Sequence, residues 1–322
     1  MEYRKLGKSE LYVSRLCLGS LTVSPLQANL PLEEGAAVIA YAFSRGINFT
    51  DTAQYYHNYA YLRRAMEISG KFDTVISTKT YAYTRQMAID ALEEARRELN
   101  RDVIDIFMLH EQESIHTLRG HMEALDYLLE MREKGIIRAV GASMHHVAAV
   151  RGVCELTEYP YYKFLDVIHP LFNRTGLGIC DGTANDMHAA IQDAHNRGIG
   201  VFSMKAIGGG NLLADVSAAF DYVLASNYVD AVAVGMQSRD EIDANIAYFE
   251  TGAFPDPLKQ KLASKRRRLL IEEYCEGCGK CVKRCGQSAL SLVDGHAKCD
   301  TSKCLLCGYC AGVCPLFAIK VI

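Results

Sequence analysis

Apolar residues recur in two rhythms along this chain of 322 residues, short and nearly continuous runs alternating with longer stretches in which they stand three and four apart. The runs fall at 15–20, 47–52, 74–80, 104–110, 136–143, 166–170, 200–206 and 230–236, and the helical stretches include 86–99, 121–134, 186–197 and 239–249. Strands separated by helices of this length pair in parallel, and eight such units predict an α/β fold, a closed (β/α)8 barrel. Residues 6–13 read as a hairpin that closes its bottom. The competing architecture is an open doubly wound sheet, but the Gly-x-Gly-x-x-Gly turn after its first strand is missing. Gly208, Gly209 and Gly210 instead follow the seventh run, a place where barrels often hold a phosphate.

Beyond residue 254 the rhythm changes. Residues 255–272 predict a helical linker, basic at Lys265, Arg266, Arg267 and Arg268, between a barrel over 1–254 and a small α+β domain over 273–322. The formal net charge of -3 removes nucleic acid and anionic membrane as partners and makes the basic run a solvated connecting helix. No apolar stretch approaches the roughly 18 residues of a membrane span, and Met1 is followed by polar residues rather than an apolar leader, so a cytoplasmic protein is expected.

Nine of the 12 cysteines lie in the last fifty residues, a crowding that in a cytoplasmic chain points to metal rather than disulfides. They include the run Cys275-x-x-Cys278-x-x-Cys281-x-x-x-Cys285 and its repeat, Cys304-x-x-Cys307-x-x-Cys310-x-x-x-Cys314-Pro315. This is the spacing of bacterial ferredoxins, in which three close thiolates cap one face of a [4Fe-4S] cube and the fourth ligand comes from the other run. One cluster is therefore expected on Cys275, Cys278, Cys281 and Cys314, and a second on Cys304, Cys307, Cys310 and Cys285. Tetrahedral zinc rarely uses two four-cysteine runs of this spacing. Residues 273–322 resemble a two-cluster ferredoxin, with Gly286 where a proline commonly follows the fourth cysteine. Cys299 stands outside both runs and is expected to be a bystander.

Polar residues end three successive strands of the first domain. Asp51 and Tyr56 belong to the second, Lys79 closes the third and His110 the fourth, all on the face where barrels keep their chemistry. An ammonium beside a phenol favours phenolate, a carboxylate would hold that ammonium charged and aimed, and an imidazole could orient a carbonyl oxygen beside the phenol. Tyr55, Tyr59, Tyr81 and Tyr83 crowd the same segments and are candidates for a substrate pocket. His145 and His146 read as a solvated helix start.

With Gly46 to Tyr56, Ser77 to Lys79, Asp105 to His110, Ile137 to Ser143 and Val234 to Asn245, the chain resembles the aldo-keto reductases from Tyr3 through about Phe249. The resemblance implies that Asp51, Tyr56, Lys79 and His110 form the family's catalytic tetrad, with the tyrosine as proton donor while a nicotinamide carries hydride to an aldehyde or ketone. It implies nucleotide contacts from Gly19, Ser20, Asp51, Met204, Lys205, Gly235 and Asn245, with Ser143 and Asn173 holding the nicotinamide carboxamide. Met204 stands where many members have a stacking tyrosine. NADP is expected if Ser238 and Arg239 meet its 2'-phosphate, NAD if Glu241 meets a ribose hydroxyl. Ser238 and Glu241 also spell a helix capping box.

The expected function is reduction of a small carbonyl compound, with a fused electron-transfer domain that leaves room for a redox partner protein such as a ferredoxin or flavodoxin. Two alternatives stand beside it. One is an electron-transfer or redox-sensing module that binds nicotinamide as a ligand. The other is a flavin-linked oxidoreductase, because clusters pass single electrons and a nicotinamide passes hydride.

Overall fold

The computed structural model describes residues 1–158 and 165–322. Strands β1 (Tyr3–Lys5) and β2 (Tyr12–Ser14) form an antiparallel hairpin. Eight parallel strands follow: β3 (Leu16–Gly19), β4 (Phe49–Asp51), β5 (Val75–Thr80), β6 (Ile104–Leu109), β7 (Ile137–Met144), β8 (Val167–Pro170), β9 (Gly200–Ser203) and β10 (Ala231–Gly235). Each pairs with the next and β10 pairs back onto β3, so the barrel is closed. Alternate positions along the strands point inward and fill it with side chains, among them Cys17, Phe49, Ile106, Met108 and Phe202. Leu6, Leu11 and Val13 from the hairpin belong to the same cluster and plug its lower end. The outward faces of the strands pack against amphipathic helices such as Arg85–Leu99 and Ala184–Asn196.

The segment 255–272 is not helical throughout. A helix spans Asp256–Ala263, and after the basic run β11 (Leu269–Ile271) pairs antiparallel with β14 (Ile319–Val321) near the carboxyl end of the chain. Leu269 and Ile271 are apolar enough to be drawn into the core of the small domain, and this overrides the helical rhythm that precedes them. Between those two strands lie the cysteine runs and a hairpin of β12 (Leu290–Val293) and β13 (His296–Cys299).

The small domain docks at the mouth of the barrel, and the three successive glycines make the docking possible. Gly208, Gly209 and Gly210 all have positive φ, at 57°, 61° and 84°. A Cβ on Gly210 would stand 2.1 Å from the carbonyl oxygen of Val321, and one on Gly209 would stand 2.8 Å from Cδ of Lys320. The Asn211 amide donates to the carbonyl of Ile319 at 3.1 Å, and Phe317 packs edge-on to His145 with ring centroids 6.3 Å apart. The glycines thus serve the approach of β14. Gly210→Ala is expected to lower unfolding stability by more than the roughly 1–3 kcal/mol of a strained backbone alone. Gly135→Ala isolates the strain, since Gly135 has φ 73° and nothing within 4 Å of its missing Cβ. Equal urea midpoints for the two variants under anaerobic conditions would show that the docking contact does not matter.

Candidate active site and cluster-binding domain

The strand register assembles the site. Asp51 at the end of β4 lies level with Gly19 and Ser77, and Lys79 lies two residues beyond Ser77 on β5, on the same face. The Lys79 ammonium therefore reaches the Asp51 carboxylate, donating to its two oxygens at 2.7 and 2.9 Å and to the carbonyl of Thr52 at 2.6 Å. Both residues are buried. Burial alone would raise the Asp51 carboxyl pKa, but Lys79 and His169 hold it well below the usual carboxylate range.

Tyr56 follows on the short turn after β4. Its ring lies with the Lys79 nitrogen 5.0 Å from the centroid and the His110 ring 5.8 Å away. Burial, and next the charge of Asp51, push its phenol above the ordinary value. This is the reverse of the lowering expected from an adjacent ammonium, because Lys79 spends its charge on Asp51. Tyr56 is consequently a neutral phenol that holds its proton until a stronger base forms beside it. His110 is neutral as well, pushed down to about 3 by burial and then by Lys79, and its Nδ1 has no partner among the described residues. Tyr81 stacks on it at 4.4 Å and donates to Glu111 at 2.6 Å. Tyr55 meets Tyr81 edge-on, whereas the Tyr59 hydroxyl is buried against Thr78 and Tyr83 lies beside His121.

A cleft of about 780 Å³ opens over this end of the barrel, within the size range of nucleotide and substrate pockets. Of the residues expected to touch a nucleotide, Gly19, Asp51, Met204, Lys205, Gly235, Glu241 and Asn245 line it. Ser20, Ser143, Asn173, Ser238 and Arg239 do not. The Ser20 hydroxyl donates to the Asp51 carbonyl at 2.7 Å, and the Ser143 hydroxyl accepts from the Glu111 amide at 2.9 Å. Asn173 is turned into its own loop: its side-chain oxygen accepts from the amides of Thr175 and Leu177, and its amide donates to the Leu177 carbonyl. The Arg239 guanidinium lies 5.0 Å over the Tyr41 ring, drawn there by a face that needs no phosphate. Ser238 caps the helix Arg239–Thr251, accepting from the Glu241 amide at 3.4 Å, and the Glu241 carboxylate accepts from the Gln237 amide at 2.7 Å.

Two features of the cleft were not expected from the sequence. His169, near the end of β8 and level with Ser143, lines the cleft with Nε2 3.6 Å from Asp51, while its Nδ1 lies 2.6 Å from the Phe202 carbonyl. Burial lowers its pKa, partly opposed by Asp51. Lys259, Lys265 and Arg267 from the basic linker also line the cleft, and Lys265 pairs with Glu241 at 2.7 Å. A run read as a solvated connection is a wall of the site.

In the small domain Cys275, Cys278, Cys281 and Cys314 line one common cavity, the set that the spacing predicts for one cube. All four donors are thiols, the ligand type a cubane requires. The fourth cysteine of each run accepts a backbone amide four residues on, Cys314 from Ala318 at 3.3 Å and Cys285 from Ala289 at 3.4 Å. Such bonds stabilise thiolate charge around a cluster. Cys299 lies beside the other set, its thiol pushed up to about 12 by burial and by Cys304. No helix among the described residues is long and apolar enough to cross a membrane.

Residues 15–217 match the aldo/keto reductase family, and residues 268–315 match the 4Fe-4S dicluster domain. An aldo-keto reductase of Mycolicibacterium paratuberculosis is 30% identical over 156 residues, 47% of this chain and 53% of that one. The carboxyl-terminal part is 37% identical over 54 residues to a component of an ion-translocating oxidoreductase complex of Methanosarcina acetivorans, 17% of this chain and 20% of that one. The chain spans about half the length of several curated relatives it matches. The holo form of a Bacillus halodurans aldo-keto reductase superposes with a TM-score of 0.62 at 21% identity, covering 82% of this chain and 95% of that one, which supports the fold. A closed eight-stranded barrel, a family match over more than half its residues and a two-run cysteine domain lead to one assignment: the chain belongs to the aldo/keto reductase family and carries a 4Fe-4S dicluster domain at its carboxyl end.

Proposed function

We propose that the protein is a nicotinamide-dependent carbonyl reductase, or alcohol dehydrogenase in reverse, in which Tyr56 delivers the proton. The observation that carries this reading is the bidentate Lys79–Asp51 pair beneath the Tyr56 ring, where Asp51 and Tyr56 line a cleft of about 780 Å³. Bound nicotinamide supplies hydride to the carbonyl carbon. The oxyanion left behind is a far stronger base than phenolate, so Tyr56 gives up its proton only as that charge develops. Lys79, held by Asp51, then stabilises the phenolate, and neutral His110 helps to orient the carbonyl oxygen. On this reading His169, which lines the cleft where Asn173 does not, would meet the nicotinamide in its place. Loss of the phenol in Tyr56→Phe is the experiment that tests this assignment.

NADP is the preferred nucleotide on this reading. Glu241 alone would repel a 2'-phosphate, but its charge is balanced by Lys265, with Lys259 and Arg267 in the same cleft. Lys265→Ala is expected to weaken NADPH about tenfold and NADH much less, as dissociation constants measured by fluorescence titration would show. An unchanged ratio of the two would contradict the role given to Lys265.

The small domain is proposed to hold two [4Fe-4S] clusters, one on Cys275, Cys278, Cys281 and Cys314, the other on Cys304, Cys307, Cys310 and Cys285. A second functional reading is favoured by one observation: Leu306, Lys320, Val321 and Ile322 of the cluster domain wall the nucleotide cleft itself. That proximity suits electron exchange between clusters and cleft, and a flavin in the cleft would then join one-electron and hydride chemistry. The visible spectrum of the protein before and after acid release of bound ligands separates the two readings.

A further inference from the structure

We propose that Lys205 and Lys320 form a subsite for a carboxylate of the substrate, so that the carbonyl compound reduced is an oxo acid. This inference rests on the reductase reading and names its substrate class. Lys205 follows β9 with a left-handed backbone, φ 63°, an uncommon conformation for a side chain of this kind. Lys320 comes from the other domain, on β14, and is only 4% exposed. Both line the cleft together with Asp51 and Tyr56.

Neither ammonium is satisfied. Among the described residues the Lys205 ammonium has no hydrogen bond and no ion pair, although an ammonium carries three donors. Lys320 donates to the Phe317 carbonyl in its own turn and lies 3.3 Å from the centroid of the Phe317 ring. Glu111 and Glu272 are the acids whose charge reaches both lysines, yet among the described residues neither forms an ion pair with either. Glu111 is engaged instead by the Tyr81 hydroxyl. Burial, and for Lys320 the charge of Lys205 next, disfavour the charged forms of the two lysines.

Two ammonium groups held near each other in a cleft cost free energy that a bound anion between them recovers. Position says which anion. Lys205 stands just past the carboxyl end of β9 and lines the cleft with Lys320, Asp51 and Tyr56, on the face where the reacting residues gather, whereas Lys265, to which the nucleotide phosphate is assigned, pairs with Glu241. A carboxylate carried by the substrate, a few bonds from its carbonyl, meets the pair. On this account the fused domain completes the substrate pocket as well as holding clusters.

The test uses the anaerobically purified full chain with its clusters, loaded with NADP+. Dissociation constants are measured by calorimetry for saturated dicarboxylates of three to six carbons and for the matching diamides, none of which can be reduced. At least one dicarboxylate is expected to bind ten times tighter than its diamide. Lys205→Met and Lys320→Met should each remove that advantage, and Lys320→Arg should keep it, with the affinity for NADPH unchanged in the two Lys320 variants and the cluster absorbance intact in all three. Turnover is read separately, with oxo acids against uncharged aldehydes of equal length. If no dicarboxylate outbinds its diamide, or the methionine variants leave the advantage in place, the subsite is wrong. If Lys320→Met instead weakens NADPH, the anion is the nucleotide's pyrophosphate and the inference fails. Dicarboxylate binding that depends on both lysines, without any carbonyl turnover, would uphold the subsite and sink the reductase reading instead.

Discussion

Tyr56→Phe is expected to reduce carbonyl turnover by about 10²- to 10⁴-fold, the range typical of a lost general acid, while binding NADPH almost as tightly as the wild type. The phenol is raised above its ordinary value by burial and by Asp51, so it stands protonated through the physiological range. Its proton therefore moves only in response to charge built up at the substrate oxygen, and removing it costs the transition state rather than the ground state. The raised pKa also fixes the sign of a pH dependence. Reduction requires the protonated form, so the alkaline fall in kcat/KM should lie above about 10, the unperturbed value for tyrosine. Tyr55→Phe is the control, since Tyr55 is half exposed and meets Tyr81 rather than Lys79. A Tyr56→Phe enzyme that turned over at the wild-type rate, with single-turnover kinetics confirming that chemistry is seen, would remove the phenol from the mechanism.

The second large effect is expected in the small domain. Anaerobically isolated protein should hold about eight iron and eight sulfide per chain. Cys314→Ser should strip the cluster whose other ligands are Cys275, Cys278 and Cys281, leaving about four of each. The reason is spatial, because Cys314 closes the same cavity as the first run although it is the last cysteine of the second. Cys285→Ser should strip the other cluster, and Cys299→Ser should leave both. Electron paramagnetic resonance of the reduced protein distinguishes these outcomes, since two nearby reduced clusters couple magnetically and one alone does not. If Cys314→Ser spared the first-run cluster and destroyed the second, each run would be ligating its own cube.

Much of this site could be read from the sequence because its determinants are local. Asp51, Lys79 and His110 end apolar strands, and Tyr56 follows one within a single turn, so strand periodicity alone brings them to one face. The cysteine spacing is equally local. What the sequence concealed depends on register and on distant contacts. His169 reaches Asp51 only because β8 is level with β7 at Ser143, which no run of apolar residues specifies. Asn173 and Arg239 carried suitable groups at suitable places, but a loop and the Tyr41 ring compete for them. The glycines after β9 suggested a phosphate, yet they make room for β14, more than a hundred residues further along. The linker cations hid in the same way. Their partner Glu241 is on a helix of the barrel, and only folding shows that Lys265 cancels it.

The central claim is direct hydride transfer from nicotinamide to a carbonyl carbon under Tyr56. Its most direct test is a turnover with NADPH deuterated at the transferable position of C4, in ordinary water, with the product analysed by mass spectrometry and NMR. The account predicts one deuterium on the former carbonyl carbon for each NADPH oxidised, and none at that carbon when unlabelled NADPH is used in heavy water. Solvent hydrogen at that carbon would contradict it, because the electrons would then have passed through a flavin or the clusters before reaching the substrate.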